Sequence, residues 1–472
     1  MRNLCFGLAA ILIAVASCAA ATNFNPPSTR TVSGTRIIHF KNGLVKVDLS
    51  TTTIAALVPN GSGGYNLLPG TGTSSGTFSI PNVPTGFYLL QIGGSYVWTS
   101  QTVVDVDSIA DYRSDTVQAD QNTQLTFDLT NLHSWQQTDL FEMACPNNAM
   151  FEFFPGTVGE TSFTGNFPYV GALSVRSEGD QYYVAQLITQ KVGGFVFDGL
   201  GRHLTPARFN QAQGSDTPIN GRLKTIAQNQ TFEANINGAD LDAQALAAHP
   251  GATLNSGFIG LSVYPGSFAK GQTTSTADLV LFSAPPFITT NGDLGRVRYG
   301  NPYSSKWPRY IGLNWLAQTN YLAPGATNSA PLITFVAVST LKLPTATSPI
   351  KPLAGVVSKP SINRKNFFKD RSGVGTTPTL RWSPPSVGKA NNYLVQISQL
   401  SNNGGNTVIS FVAQFFTQSR SLVVPAGLLN SGSAYIFLIQ SDYIPGVSFA
   451  KTPLMNGSTS GLAQVASGVI QP

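Results

Sequence analysis

Short apolar runs with a partial two-residue period recur along most of the chain. In "GTFSIPNV", Phe78 and Ile80 alternate with polar residues, and in "TQLTFDLTNL", Leu125, Phe127 and Leu129 share one parity. This period places the apolar residues on one face of a β-strand, and Gly, Pro and Asn separate one run from the next. The pattern therefore predicts an all-β fold made of several β-sandwiches.

One segment has a helical pattern instead. In "ADLDAQALAAHPG", residues 239–251, Asp240 stands where it can cap a helix and Pro250–Gly251 would end it. The sequence therefore predicts a single short helix within an otherwise β-rich region.

The first residues have the pattern of an export signal. An uncharged apolar stretch follows Arg2 and runs from Leu4 to Val15, which is shorter than the about 20 residues that span a bilayer. It predicts a signal peptide over residues 1–17. Processing stays open between cleavage after the small residues 19–21, which would give a secreted protein, and acylation of Cys18.

The acylation alternative rests on a short motif. The tetrapeptide "VASC", residues 15–18, resembles the bacterial lipobox. The resemblance implies that Cys18 becomes the lipidated first residue of the mature chain and anchors it at the outer membrane or cell surface.

Composition supports an extracellular β protein. Charged residues make up 11% of the chain, against roughly 25% in an average globular protein. A hydrophobic content of 42% argues against disorder. Cys145 is the one cysteine left after Cys5 and Cys18 are removed or acylated, so no internal disulfide is expected.

The net charge of +6 is concentrated in one Pro-rich segment. The basic residues there are Lys351, Lys359, Arg364, Lys365, Lys369 and Arg371, against a single acid, Asp370. We interpret residues 344–372 as a solvated basic linker, with contact to anionic lipid or glycan as the alternative. A nucleic-acid partner is not expected, because the basic excess does not lie on a folded module with interleaved aromatic residues.

The N-terminal region carries a spaced motif. Its members are Gly76, Phe78, Ile80, Val83, Pro84, Gly86, Tyr88 and Leu90. The spacing resembles carboxypeptidase regulatory-like β-sandwich domains over about residues 30–130, and we delimit this domain as 30–132, with the strand at 123–132 closing it. The resemblance implies a spacer or binding module and not a catalyst.

The C-terminal region has a tryptophan strand followed by tyrosine strands. The residues of its first half are Leu380, Trp382, Pro384, Tyr393, Val395 and Ile397. They resemble a fibronectin type III domain within residues 345–472, which we delimit as 373–472. The resemblance implies that Trp382 lies in the core between two sheets. Residues 133–343 form a β-rich domain that resembles no family.

The candidate binding residues are aromatic and lie in "RYGNPYSSKWPRYIGLNW". They are Tyr299, Tyr303, Trp307, Tyr310 and Trp315. Aromatic faces beside amides suit sugar rings, although the same rings would also serve to cap the end of a sheet. Asp105, Asp107 and Asp111 are weak candidates for calcium, with a polar edge strand as the alternative. No metal, cofactor or catalytic residue is predicted.

These observations favour an exported, lipid-anchored protein of the bacterial cell envelope. Its expected role is non-catalytic binding or structural adhesion, with an extracellular glycan or an envelope protein as partner. The alternative is a polysaccharide-processing enzyme of the glycoside hydrolase type with accessory β modules. Such an enzyme needs two carboxylates across a sugar, and the middle region supplies Glu142, Glu152, Glu160, Glu178, Asp180 and Glu233.

Overall fold

The protein is described by a computed structural model. It covers residues 28–40, 42–110, 112–115, 122–144, 151–153, 156–168, 182–211, 214–264, 277–284, 288–455 and 457–472. Strands dominate these residues, so the predicted all-β class is confirmed. Within these ranges no helix has both the length and the apolar character needed to cross a membrane.

The N-terminal strands pack in two layers. They are β1 (Thr29–Thr35), β2 (Ile37–Phe40), β3 (Gly43–Lys46), β4 (Ile54–Pro59), β5 (Tyr65–Pro69), β6 (Thr71–Gly72), β7 (Thr77–Pro84), β8 (Tyr88–Ile92), β9 (Ser95–Thr99) and β10 (Ser108–Ile109). One sheet has the order β1-β7-β6, and β4 pairs with β5 and β8 in the other. Phe78 and Ile80 are both buried in the core between them, as their alternation predicts.

The middle strands enclose the largest apolar cluster. They are β11 (Gln124–Thr130), β12 (Leu140–Ala144), β13 (Phe151–Phe153), β14 (Ser162–Pro168), β15 (Tyr183–Val192), β16 (Phe195–Leu204), β17 (Asp216–Arg222), β18 (Lys224–Thr225), β19 (Gln230–Asn237), β20 (Thr253–Val263), β21 (Ala277–Ala284), β22 (Asn291–Tyr299), β23 (Arg309–Tyr321) and β24 (Ala330–Thr340).

The strand β11 does not close the N-terminal sandwich, so that prediction is wrong. It pairs antiparallel with β14 and parallel with β17, both of which come later in the chain. Leu125, Phe127 and Leu129 do share one face, and that face is buried against Trp135 and Phe141. The period of two correctly predicted which face of the strand is buried, but it does not indicate which strands cover that face.

The single helix within the described ranges is α1 (Gly238–Leu246), inside the segment predicted to be helical. Leu241 and Ala245 face the core. Asp240 does not cap it: the N-cap residue is Asn237, and Asp240 lies in the first turn, where its Oδ2 accepts a hydrogen bond from the side-chain Nδ2 of Asn237 at 3.0 Å.

The C-terminal strands form a two-layered β-sandwich. They are β25 (Ser358–Ile362), β26 (Lys365–Asn366), β27 (Thr379–Ser383), β28 (Asn392–Asn403), β29 (Asn406–Thr417), β30 (Ser421–Val423), β31 (Ala434–Tyr443) and β32 (Ser460–Ala466). The sheet β26-β25-β27-β30 covers β28, β29, β31 and β32. Trp382 is buried between these layers and meets Tyr393 edge-on at 5.4 Å between ring centroids, so its expected core position is confirmed.

Residues 344–372 are not a solvated linker, and that interpretation is wrong. The segment contributes β25 and β26 and buries Ile350, Ile362 and Phe367 in the neighbouring cores. Its lysines occur at irregular intervals among these apolar residues and are exposed, as at Lys351. The positively charged side chains therefore lie on the outer side of a packed segment, because the apolar side chains between them are buried by neighbouring residues.

One hydrogen-bonded sheet of 17 strands joins the three regions. The N-terminal β9 pairs parallel with β29, and the middle strand β24 pairs antiparallel with β32. The regions therefore share backbone hydrogen bonds as well as side-chain contacts.

Candidate functional site

The predicted aromatic residues do not form one exposed face. Tyr299, Tyr303 and Trp315 are 0%, 6% and 1% exposed and belong to the core of the middle region. Trp307 and Tyr310 are half-buried. Three of the five rings are therefore buried, and one of them, Trp315, lines a cleft described below.

The polar atoms of the buried rings form hydrogen bonds inside the protein. The Tyr303 hydroxyl donates to Glu142 Oε1 at 2.9 Å, and Trp315 Nε1 donates to Asp242 Oδ1 at 2.6 Å. Burial, followed by the negative charge of Glu142, raises the pKa of Tyr303 well above its ordinary value of 10.0. Such partners are what a buried Tyr or Trp needs, and they give these residues a structural role.

The two half-buried members stack on other aromatic rings. Trp307 stacks on Tyr303 with centroids 5.5 Å apart, and Tyr310 stacks on Tyr264 at 4.3 Å. Tyr310 and Tyr264 also line a small cleft of about 160 Å³. The five residues are thus divided between the core and the edge of this cleft.

The weak calcium candidates are occupied by protein donors. Asp107 Oδ1 accepts from the Thr35 hydroxyl at 2.9 Å and from the Ile37 amide at 2.8 Å, and the Thr35 hydroxyl also reaches Asp105 Oδ1 at 3.2 Å. Asp111 lies outside the described residues. Over the part of the chain that is described, no three His, Cys, Asp or Glu side chains gather as a metal site would require.

The carboxylates of the middle region have separate partners. Glu142 is buried and accepts from the Asp278 amide as well as from Tyr303, whereas Glu233 binds Arg296 at 2.7 Å. Glu160 accepts a hydrogen bond from the Thr157 amide. Glu178, Asp180 and the side chain of Glu152 lie outside the described residues.

A cleft of about 280 Å³ opens in the middle region beside another carboxylate. Asp198 lines it together with Phe195, Phe282 and Trp315, and accepts from the Thr189 hydroxyl at 3.0 Å. Burial raises the pKa of Asp198, and the nearby charge of Asp139 adds to that shift. This cleft is where an acidic group and aromatic rings do meet.

A stacked aromatic pair that the sequence did not single out lies at the start of the β8–β9 hairpin, with one ring exposed and the other half-buried. Phe87 is 58% exposed and stacks on Trp98 with centroids 5.6 Å apart and an interplanar angle of 8°. Trp98 lies in one cross-strand row with Leu89, Leu57 and Leu67, and Leu67 is itself 60% exposed. We call Phe87, Trp98 and Leu67 the aromatic patch.

The turn before β8 positions this pair. Gly86 has a φ of 119°, which L side chains rarely adopt, and its carbonyl accepts from Arg30 Nη2 at 2.9 Å. On the other side of Phe87, the buried Tyr88 donates its hydroxyl to the Gln101 carbonyl at 2.6 Å. Phe87 is therefore exposed on backbone that is fixed on both sides. In the sequence, Pro84 and Gly86 indicated a special backbone geometry here, but nothing indicated the exposure of Phe87.

Comparisons with known proteins give no functional assignment for this chain. No protein-family model and no curated protein matches the chain. A solved structure of a provisionally assigned cell adhesion protein from Bacteroides eggerthii DSM 20697 aligns with 76% of this chain and 99% of its own, at 11% identity and a TM-score of 0.16. A similarity of that size supports no conclusion about this chain.

Proposed function

We propose that this is an exported cell-envelope protein with a non-catalytic adhesive role, and that its aromatic patch binds an extracellular glycan. The observation that carries the proposal is the coplanar stack of Phe87, which is 58% exposed, on the half-buried ring of Trp98. A large exposed ring such as Phe87 suits a partner that covers it, and a ring held by stacking on Trp98 loses little further freedom on binding.

The chemistry of the patch suits a sugar ring. The outer face of Phe87 offers a flat apolar surface to the C–H side of a sugar. Hydroxyls of Ser28 and Thr85 and the guanidinium of Arg30 lie at the same end of the sheet, around the turn that precedes Phe87. Such groups are suited to bind sugar hydroxyls.

Anchoring at Cys18 is part of the proposal. It is supported by the apolar leader and by the tetrapeptide at residues 15–18, which lie outside the described residues. Intact-mass analysis of the membrane fraction should give a mature chain that begins at Cys18 with added acyl mass. A mature chain that starts beyond Cys18 would instead establish secretion.

A glycan array with the purified protein tests the adhesive role. Phe87→Ala and Trp98→Ala should each weaken binding to the recognised glycans by about tenfold or more, because the first removes the exposed ring and the second removes the ring on which it stacks. Phe411→Ala is the matched control: this ring is 56% exposed near the opposite end of the β8–β9 hairpin, close to Gly94. Equal loss in all three variants, or no glycan bound by the parent, would contradict the proposal.

The enzyme alternative has one observation in its favour, the cleft beside Asp198. A carboxyl with a raised pKa is suited to act as a general acid. Turnover of polysaccharides, measured as released reducing ends and abolished by Asp198→Asn, would support that function. Glycan binding without any product would favour adhesion.

A further inference from the structure

A third cleft lies on the C-terminal sheet, on the face opposite the inter-sheet core. Its volume is about 360 Å³. Leu394 and Phe416 line it from the sheet, and Phe449 and Leu454 line it from the segment that follows β31. Asp442, near the end of β31, is the acidic residue of its wall.

A chain of amide groups holds Asp442 from one side. The backbone N–H of Phe335 donates to Gln464 Oε1 at 3.1 Å, Gln464 Nε2 donates to Gln440 Oε1 at 2.7 Å, and Gln440 Nε2 donates to Asp442 Oδ1 at 2.7 Å. Since the backbone N–H can only donate, it fixes the orientation of both glutamines. Oδ1 of Asp442 is therefore provided with a donor.

The second oxygen of the same carboxyl is different. Asp442 is 3% exposed, and no described residue donates a hydrogen bond to its buried Oδ2. A buried carboxylate oxygen without a donor is strongly unfavourable. Oδ2 can therefore accept a hydrogen bond from a bound ligand.

The rest of the wall determines what that donor can be. Among the described lining residues Asp442 is the single charged one, and the others are mostly aliphatic or aromatic, with Tyr264 and Phe449 among them. A ligand that matches this wall carries one positive charge with N–H groups and an apolar body, since the carboxylate needs a donor and the rings attract cations. The volume is in the range of small-molecule sites.

We propose that this cleft binds a small organic amine in its protonated form, with the ammonium group donating to Asp442 Oδ2 and the apolar part packing against Phe416 and Phe449. The site is separate from the aromatic patch and does not depend on the proposed adhesive role. Burial raises the pKa of Asp442 to about 7, so the carboxylate that the ammonium needs is available above neutral pH.

Calorimetric titration of the full chain above neutral pH, with phenethylamine as the probe, tests the site. Phenethyl alcohol, its neutral isostere, and hydrocinnamate, an anion of similar shape, are the comparison ligands. The amine should bind at least about tenfold more tightly than either, because only its ammonium pairs with the carboxylate.

Two variants distinguish the cleft from other acidic surfaces. Asp442→Asn should weaken amine binding by about tenfold or more without lowering the melting temperature, and Ser460→Phe, which fills the cleft, should abolish binding. Asp216→Asn, at an exposed aspartate on β17, should leave the affinity unchanged. Equal affinity for amine and alcohol, no amine binding by the parent, or unchanged binding in Asp442→Asn would each overturn the proposal.

Discussion

At the scale of single residues, this protein buries several polar side chains and supplies most of them with partners. Glu142 accepts from Tyr303 and the Asp278 amide, and Asp242 accepts from Trp315. Tyr303 and Trp315, which the sequence suggested as sugar-binding residues, therefore form hydrogen bonds in the interior instead. Their spacing indicated an aromatic cluster, but spacing cannot say on which side of the sheet a ring lies once strands from elsewhere cover it.

Because the carboxyl of Asp442 is buried, the stability of the protein should fall as the pH rises toward 7. Burial raises its pKa in the folded chain from 3.8 to about 7, and the hydrogen bond from Gln440 only partly offsets this. The folded state therefore binds a proton that the unfolded state has lost, so this contribution to stability is complete below the lower pKa and disappears as the pH rises to about 7.

Asp442→Asn should remove that dependence. Urea unfolding of the parent should lose roughly 1 kcal/mol per pH unit from this group as the pH rises between the two pKa values. The variant should show a flatter profile and be more stable than the parent above pH 7, by on the order of 2 kcal/mol. Identical slopes for the two proteins would show that Asp442 is ionised in the folded state throughout.

At the scale of elements, local pattern was sufficient for some strands and for the helix. The alternating runs at β7 and β11, and the helical segment at α1, lie where the sequence indicated them. The segment 344–372 was interpreted as a linker because it contains four prolines and six basic residues. Its buried residues Ile350, Ile362 and Phe367 are widely spaced, so no period of two marks them as core positions.

At the start of α1, replacing a glycine by alanine should destabilise the protein, which is the opposite of what helix propensity predicts. A Cβ at Gly238 would collide with the backbone carbonyl of Ile288, which cannot move aside easily. Gly238→Ala should therefore lower the free energy of unfolding by roughly 3 kcal/mol, although alanine is the better helix former.

The matched control for that variant is Ala243→Gly, on the exposed side of the same helix. It should cost about 1 kcal/mol through propensity alone. Urea unfolding of both variants measures the difference. A Gly238→Ala protein more stable than the parent would mean that α1 and the segment at Ile288 are not packed as closely as described.

At the scale of the whole molecule, the regions that the sequence separated are tied by strand pairing. Gln414, Phe415 and Phe416 of β29 lie beside Ser95, Tyr96 and Val97 of β9, and Tyr96 stacks on Phe415 with centroids 4.8 Å apart. Elements far apart in the sequence therefore share one core, which favours joint unfolding of the N-terminal and C-terminal sandwiches.

Tyr96→Ala tests this coupling. It should destabilise the protein by about 3 kcal/mol, because it removes a buried ring, and it should speed hydrogen exchange at β28 and β31 in the C-terminal sandwich as well as at β8. Val408→Ala, at a 37% exposed position of β29, should leave exchange nearly unchanged. Faster exchange confined to the N-terminal strands would show that the two sandwiches open independently.

The sequence by itself determined the all-β class, the buried faces of β7 and β11 and the short helix, because each follows from side-chain periodicity within a few neighbouring residues. The core position of Trp382 was implied by the resemblance to a fibronectin type III domain. Only the tertiary structure decided that β11 pairs with β14 and β17, that Tyr299 and Trp315 face the core, and that Asp442 is buried beside a cleft. Those outcomes depend on which distant strands come together, and a local period of two is compatible with many such pairings.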